Sequence, residues 1–210
     1  KIISKRVDGL HNISSFFLPV PLYDILELHA SSPSLKKIEI SYSGIHFPKE
    51  NQDLVLKAYQ LLNKDFKLPA VQIHLHKNIP FGAGLGGGSS DAAFMLLMLN
   101  NQFNLGLNKS DLLDYAMTIG SDCPFFLINN FSHVSGFGQH IQPIDYPFKH
   151  YHVVIVKPVF HASTRMIFAN FKLNKNNKSK LNFDKNPHYW KTQLVNDLES
   201  VTFLMCPELK

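Results

Sequence analysis

Cysteine is scarce in this chain: Cys123 and Cys206 are the only two, far apart and outside any CxxC pattern. Their placement indicates neither a zinc site nor a disulfide framework and fits a reducing compartment. Long apolar runs are missing as well. Nothing approaches the roughly 18 residues of a membrane helix, and the amino terminus carries no signal-peptide apolar region followed by a small-residue cleavage site. These absences predict a soluble, cytoplasmic protein with no membrane partner. Charge is sparse, at 18% of residues against 45% hydrophobic, so the 210 residues can bury a core and suit one large or two small domains. The net charge of +5 suits an anionic partner of some kind. Basic and aromatic residues do not interleave as they do in nucleic-acid modules, so no nucleic-acid partner is expected. The densest basic group, Lys172, Lys175, Lys178 and Lys180, lies in an Asn-rich stretch that reads as a solvated loop.

Periodicity then assigns the elements. Ile13 to Leu18, Asp24 to His29 and Lys37 to Tyr42 read as strands, with Pro19-Val20-Pro21 as a turn. Asp53 to Leu62 carries the apolar stripe of an amphipathic helix, which Pro69 closes off. Val71 to His76 alternates strictly, a half-buried strand with His74 and His76 on one face. With no third ligand in view, those histidines read as a polar outer face rather than a metal site. Asp91 to Gln102 is apolar on nearly every side, the mark of a buried helix with Met95 and Met98 as core. Lys109 to Ile119 follows as a helix, with Asn108 or Ser110 as its cap and Gly120 as its stop. Val153 to Val156 suits a buried strand opening a second domain, with a boundary near residue 148. The Asn-rich stretch from Leu173 to Asn186 reads as a long excursion, and no internal repeat is present. Without an initiating Met, and ending on Cys206-Pro207-Glu208-Leu209-Lys210, the chain reads as a fragment of a longer protein.

The chemistry concentrates in Pro80-Phe81-Gly82-Ala83-Gly84-Leu85-Gly86-Gly87-Gly88-Ser89-Ser90. Glycines that permit positive φ and close backbone approach let amide N–H groups surround an anion. The loop runs straight into a helix start, whose unpaired amides and dipole add to the attraction. Ser89 and Ser90 supply hydroxyls for capping, phosphate or a bound metal. The embedded GxGxxG lacks the Rossmann context: Lys77-Asn78-Ile79-Pro80 separates it from its strand, and Asp111 and Asp114 fall inside a predicted helix. No Gly-Lys-Ser/Thr follows the glycines, so this is not a Walker loop either. Another phosphate-binding class is indicated.

The long form, Pro80 through Ser90 continued by Asp91-Ala92-Ala93, resembles the phosphate-loop motif of the GHMP kinase superfamily. Three further segments resemble the branch that phosphorylates a hydroxyl of 4-diphosphocytidyl-2-C-methyl-D-erythritol in the non-mevalonate isoprenoid pathway. Lys5-Arg6-Val7-Asp8-Gly9-Leu10-His11 is similar to its K-R-P-D-G-Y-H segment, Gly120-Ser121-Asp122-Cys123-Pro124-Phe125-Phe126 to its G-A/S-D-x-P-F-F segment, and Asn196-Asp197-Leu198-Glu199 to its N-D-F/L-E segment. The resemblance implies a two-domain α/β (α+β) fold. Residues 1–148 would form an amino-terminal ATP-binding domain like the second domain of ribosomal protein S5. Residues 149–210 would begin an incomplete ferredoxin-like carboxy-terminal domain.

The resemblance also implies ATP and Mg²⁺ as cofactors and a small diphosphocytidyl substrate. It places the triphosphate on Pro80, Gly82, Ala83, Gly84, Leu85, Gly86, Gly87, Gly88, Ser89 and Ser90, and makes Asp122 the catalytic carboxylate. His11 and Phe168 are the expected cytidine contacts, while Leu10 stands where the family has a tyrosine. Lys77 reads equally as a phosphate contact or an exposed strand-end lysine. The family's other catalytic residue, a lysine in a P-A-K-x-N-L segment, would precede Lys1. Another GHMP small-molecule kinase, or a catalytically silent nucleotide-binding homologue, are the alternatives.

Overall fold

The computed structural model describes residues 1–30, 38–45, 53–145, 151–158, 163–173, 184 and 186–210. In chain order the elements are β1 (Ile2–Lys5), β2 (His11–Phe17), β3 (Ile25–Ala30), β4 (Glu39–Gly44), α1 (Leu54–Phe66), β5 (Val71–Lys77), α2 (Gly87–Gln102), α3 (Lys109–Ile119), α4 (Cys123–Ile128), β6 (Ser132–Gly136), β7 (His140–Pro143), α5 (Thr164–Asn170), α6 (Trp190–Gln193) and α7 (Glu199–Met205). They form two compact units, Val20–Asn129 and Lys1–Pro19 with Asn130–Lys210. The expected boundary near residue 148 lies outside the described residues, as do Lys175, Lys178, Lys180 and most of the Asn-rich stretch. Among the described residues no helix is long and apolar enough to cross a membrane.

In the unit Val20–Asn129, β5 lies between β3, antiparallel to it, and β4, parallel to it. The alternation read from the sequence holds along β5: Val71, Ile73 and Leu75 are buried on one face, and Lys77 ends the same row. On the other face His74 shares 2.8 Å hydrogen bonds with the Ser41 and Ser43 hydroxyls, and His76 a 2.7 Å bond with Ser43. Both ring nitrogens of His74 and the Nδ1 of His76 are thus engaged by serines.

The inner face of that sheet carries the core, where Val55, Ala58 and Leu62 of α1 meet Met95, Leu96 and Leu99 of α2. Each fully buried leucine contributes roughly 2 kcal/mol. The termini of the helices are specified locally. Asp53 caps α1 by accepting the Val55 N–H at 2.8 Å, and Lys67 leaves the helix in the left-handed region. At α3, Asn108 and Asp111 form a reciprocal capping box, and Gly120 ends the helix. α2 begins at Gly87, four residues before the sequence reading placed it, because the glycine loop itself turns into the first helical turn.

The other unit holds a four-stranded antiparallel sheet, ordered β1-β2-β6-β7. Asp197, from the Asn196-Asp197-Leu198-Glu199 segment, accepts the Ile2 N–H at 2.7 Å and so ties that segment to β1. One expectation is corrected here. Val153 to Val156 is not a buried strand: it has no regular structure, and Val154 and Val156 are each more than four-fifths exposed. A continuous apolar run becomes a buried strand only when neighbours pair both its edges and cover both its faces. Among the described residues no strand pairs with it.

Candidate active site

The glycine loop lines a cavity of about 700 Å³ in the unit Val20–Asn129, together with Asp53, Leu54, Leu75 and Lys77. Gly82, Gly84 and Gly86 have φ of 65°, 72° and 68°, while Ala83 and Leu85 between them stay out of the positive-φ region. Alternating handedness turns successive N–H groups toward one side and makes a concave anion nest. The first helical bond of α2 runs from Ser90 N to Gly86 O at 2.8 Å, so the amides just before it have no helical acceptor. Among the described residues no side chain caps this terminus. The capping role considered for Ser89 and Ser90 is therefore not used, and of the two only Ser89 lines the cavity.

Asp122 stands at the N-cap position of α4, again without a side-chain cap bond. Its carboxylate takes only a long 3.5 Å bond from the Ser121 hydroxyl among the described residues. The residue as a whole is exposed, yet protein crowds the carboxyl itself, and that desolvation raises its pKa above the ordinary aspartate value against the opposing Ser121 bond. α4 packs against the loop: a Cβ added at Gly86 would sit 2.7 Å from Cζ of Phe126. The neighbouring Cys123 thiol meets the Ser89 hydroxyl, and burial pushes it up to about 11. The turn bearing Asp122 is thus held alongside the start of α2, although Asp122 does not line the cavity.

In the other unit, His11 and Phe168 come together as rings 5.1 Å apart and tilted by 36°, with Phe171 edge-on to His11 at 6.4 Å. Phe168 belongs to α5, which Ser163 caps through the Met166 N–H. His11 follows a tight turn. There Gly9 has φ of 85°, Asp8 accepts from the Leu10 N–H at 3.1 Å and from Arg6 at 2.8 Å, and the Arg6 guanidinium lies 4.5 Å from the centre of the Phe137 ring. Burial first, then the nearby Lys5, lower the His11 pKa. A neutral imidazole offers one donor and one acceptor. Leu10 is half exposed beside it.

Lys77 is not an exposed strand-end lysine. It is buried, and its ammonium donates to Asp91 at 2.6 Å and to Asp24. Burial works to lower the Lys77 pKa, but the two carboxylates outweigh it and leave it raised. Burial pushes Asp91 up to about 7 despite the lysine. Neither Asp24 nor Asp91 was singled out as functional from the sequence. The signal was present: the period of two along β5 puts Lys77 on the apolar face, and Asp91 is the one charge in α2.

The known proteins that this chain is similar to decide its family. Residues 53–130 match the family model of the GHMP kinases N terminal domain. A 4-diphosphocytidyl-2-C-methyl-D-erythritol kinase of Bacteroides fragilis is 42% identical over 211 aligned residues, which cover 100% of this chain and 77% of that one. The chain belongs to the 4-diphosphocytidyl-2-C-methyl-D-erythritol kinase family of the GHMP kinases. A family member from Neisseria meningitidis serogroup B is 38% identical, over 100% of this chain and 72% of its own. A crystal structure of a 4-(cytidine 5'-diphospho)-2C-methyl-D-erythritol kinase superposes with a TM-score of 0.67 at 26% identity, covering 99% of this chain and 74% of that chain. The fold is therefore the α+β GHMP kinase fold. Homoserine kinase of Cytophaga hutchinsonii shares that fold, with a TM-score of 0.54 at 17% identity over 72% of this chain and 52% of its own.

Proposed function

We propose that this chain transfers the γ-phosphoryl group of ATP to a hydroxyl of 4-diphosphocytidyl-2-C-methyl-D-erythritol, a step of non-mevalonate isoprenoid synthesis. The observation that carries this reading is the 42% identity to a kinase of that name across the whole chain. The alternating glycine loop opening onto the bare N-terminus of α2 supports it by providing a place for a triphosphate.

In this reading Pro80, Gly82, Ala83, Gly84, Leu85, Gly86, Gly87 and Gly88 surround the phosphates with backbone, and Ser89 and Ser90 add hydroxyls. Asp122 accepts the proton of the substrate hydroxyl as its oxygen attacks the γ-phosphorus, and ADP leaves in line. A carboxyl free of capping duty and raised by desolvation is suited to that role. Mg²⁺ would find one protein ligand in the Ser89 hydroxyl, which lines the cavity, and an ion that commonly binds through few protein ligands plus substrate phosphates would need little more from the chain. It supplies neutralisation of the charge on the transferred group. His11 recognises the cytosine edge and Phe168 covers its face, a pairing supported by their ring contact.

A coupled assay of ADP release on the full chain tests the proposal. Turnover with the diphosphocytidyl substrate, and little with mevalonate, homoserine or sugars, is the expected result. ATP binding without any ADP release would leave a silent nucleotide-binding homologue instead.

A further inference from the structure

A backbone nest works only if its N–H groups stay free for the ligand. A loop of this kind cannot be held by its own hydrogen bonds, so something outside must hold it. Three side chains around the glycine loop do this on both flanks. Lys77 is the last residue of β5 and Asp91 lies in the second turn of α2, so the 2.6 Å bond between them spans the loop from entry to exit. Asp24 completes the bracket. One of its oxygens accepts from Lys77, and the other from the backbone N–H groups of Asn78 and Ile79 at 2.6 and 2.8 Å. The same Ile79 is packed so closely on Gly87 that a Cβ there would lie 2.9 Å from its Cγ2, with Asp24 Oδ2 at 3.5 Å. All three charged side chains are at most 7% exposed.

Burying a charge cluster of this kind is costly, and apolar residues would often serve stability as well or better. Its directional bonds do what apolar packing cannot: they fix where the strand ends relative to where the helix begins. We propose that Asp24, Lys77 and Asp91 form a clamp that sets the shape of the phosphate loop before nucleotide arrives, making them positioning residues for ATP. With two carboxylates on its ammonium, Lys77 serves the loop rather than the phosphates. Preorganising the loop removes an ordering cost that ATP binding would otherwise meet. The clamp rests on the ATP reading of the loop.

Hydrogen–deuterium exchange of the full chain, without nucleotide, tests it alongside steady-state kinetics. In Lys77→Met, the amides of residues 81–90 should exchange at least about tenfold faster while those of β6 and β7 stay unchanged. The KM for ATP should rise roughly tenfold, with that for the diphosphocytidyl substrate within about twofold. A folded Lys77→Met whose loop exchange is unaltered overturns the clamp; if its ATP affinity still drops, Lys77 contacts phosphate directly. Should that variant fail to fold, Asp91→Ala cuts only the helix-side bond and is judged by the same two readings. If the wild-type chain transfers no phosphoryl group, the proposed reaction falls. Loop exchange and binding of a non-hydrolysable ATP analogue then still decide the clamp.

Discussion

The ring of Phe126, on α4, closes over Gly86, the residue from which α2 starts, leaving no room for even a methyl group between them. A Cβ there would lie 2.7 Å from Cζ and 2.9 Å from Cε2, on a residue whose φ is +68°. Gly84 has φ of +72°, but among the described residues nothing lies within 4 Å of the same position. The pair separates two costs that are usually confounded. Both alanine variants meet the left-handed penalty of roughly 1–2 kcal/mol, and only Gly86→Ala must also displace a ring. ATP titration by calorimetry should show Gly86→Ala weaker than Gly84→Ala by about tenfold or more. Phe126→Leu in the Gly86→Ala background should recover part of the loss; equal losses in the two single variants would remove the ring from the account.

Asp122 is expected to separate binding from chemistry. Asp122→Asn should lower kcat by about 10²–10⁴ while ATP affinity stays within about threefold, because in the proposed reaction the carboxylate acts on the acceptor hydroxyl, and it does not line the loop cavity. The pH dependence has a definite sign. A base must be ionised to accept a proton, and desolvation raises this carboxyl above the ordinary value. The acid limb of kcat should therefore fall at a higher pH than a solvated aspartate gives, near 4, and should vanish in the residual activity of Asp122→Asn. A limb that survives the substitution unchanged would assign it to another group.

The nest could be found in the sequence because contiguous residues carry it, whereas Asp122 stands out there only through the resemblance of its segment to the family's G-A/S-D-x-P-F-F. β5, α1 and α3 were legible for the same reason as the nest: strict alternation, an apolar stripe and local caps write their own signals. The Lys77 clamp was not, since Asp24 is 53 residues from its lysine and only the tertiary fold joins them. The short strands β1, β6 and β7 went unread because four or five residues of mixed polarity carry little periodicity and gain their definition from pairing. Val153 to Val156 misled in the opposite sense, presenting the composition of a buried strand where, among the described residues, no neighbour pairs with it.

Leu10 concerns specificity. The Arg6–Asp8 pair and the 3.1 Å bond to the Leu10 N–H fix the turn, so residue 10 keeps its place beside His11 whatever its side chain. An aromatic there would add a stacking partner worth about 0.5–1.5 kcal/mol. Leu10→Tyr should accordingly lower the KM for the diphosphocytidyl substrate by roughly two- to tenfold, and Phe168→Ala should raise it by about tenfold or more, with the KM for ATP unmoved in both. Phe171→Ala provides the comparison: an effect as large as that of Phe168→Ala would mean that the edge-on ring at 6.4 Å also takes part in holding the base.

Asp91 makes stability depend on pH in a direction opposite to most carboxylates. Its pKa rises from the ordinary 3.8 to about 7, with burial as the main cause. Between those values the folded chain holds a proton that the unfolded chain has released, so the contribution of this group is full below about 4 and is lost as pH rises through about 7. A salt-bridged aspartate with a depressed pKa behaves the other way and fails in acid. Asp91→Asn keeps an oxygen for the Lys77 ammonium and removes the titration. The Tm difference, wild type minus Asp91→Asn, should therefore fall steadily from pH 5 to pH 8, by more than the ~2–4 °C that corresponds to about 1 kcal/mol at this chain length. A difference that stays flat across that window would mean that Asp91 is ionised throughout and that the clamp carries two full negative charges on one lysine.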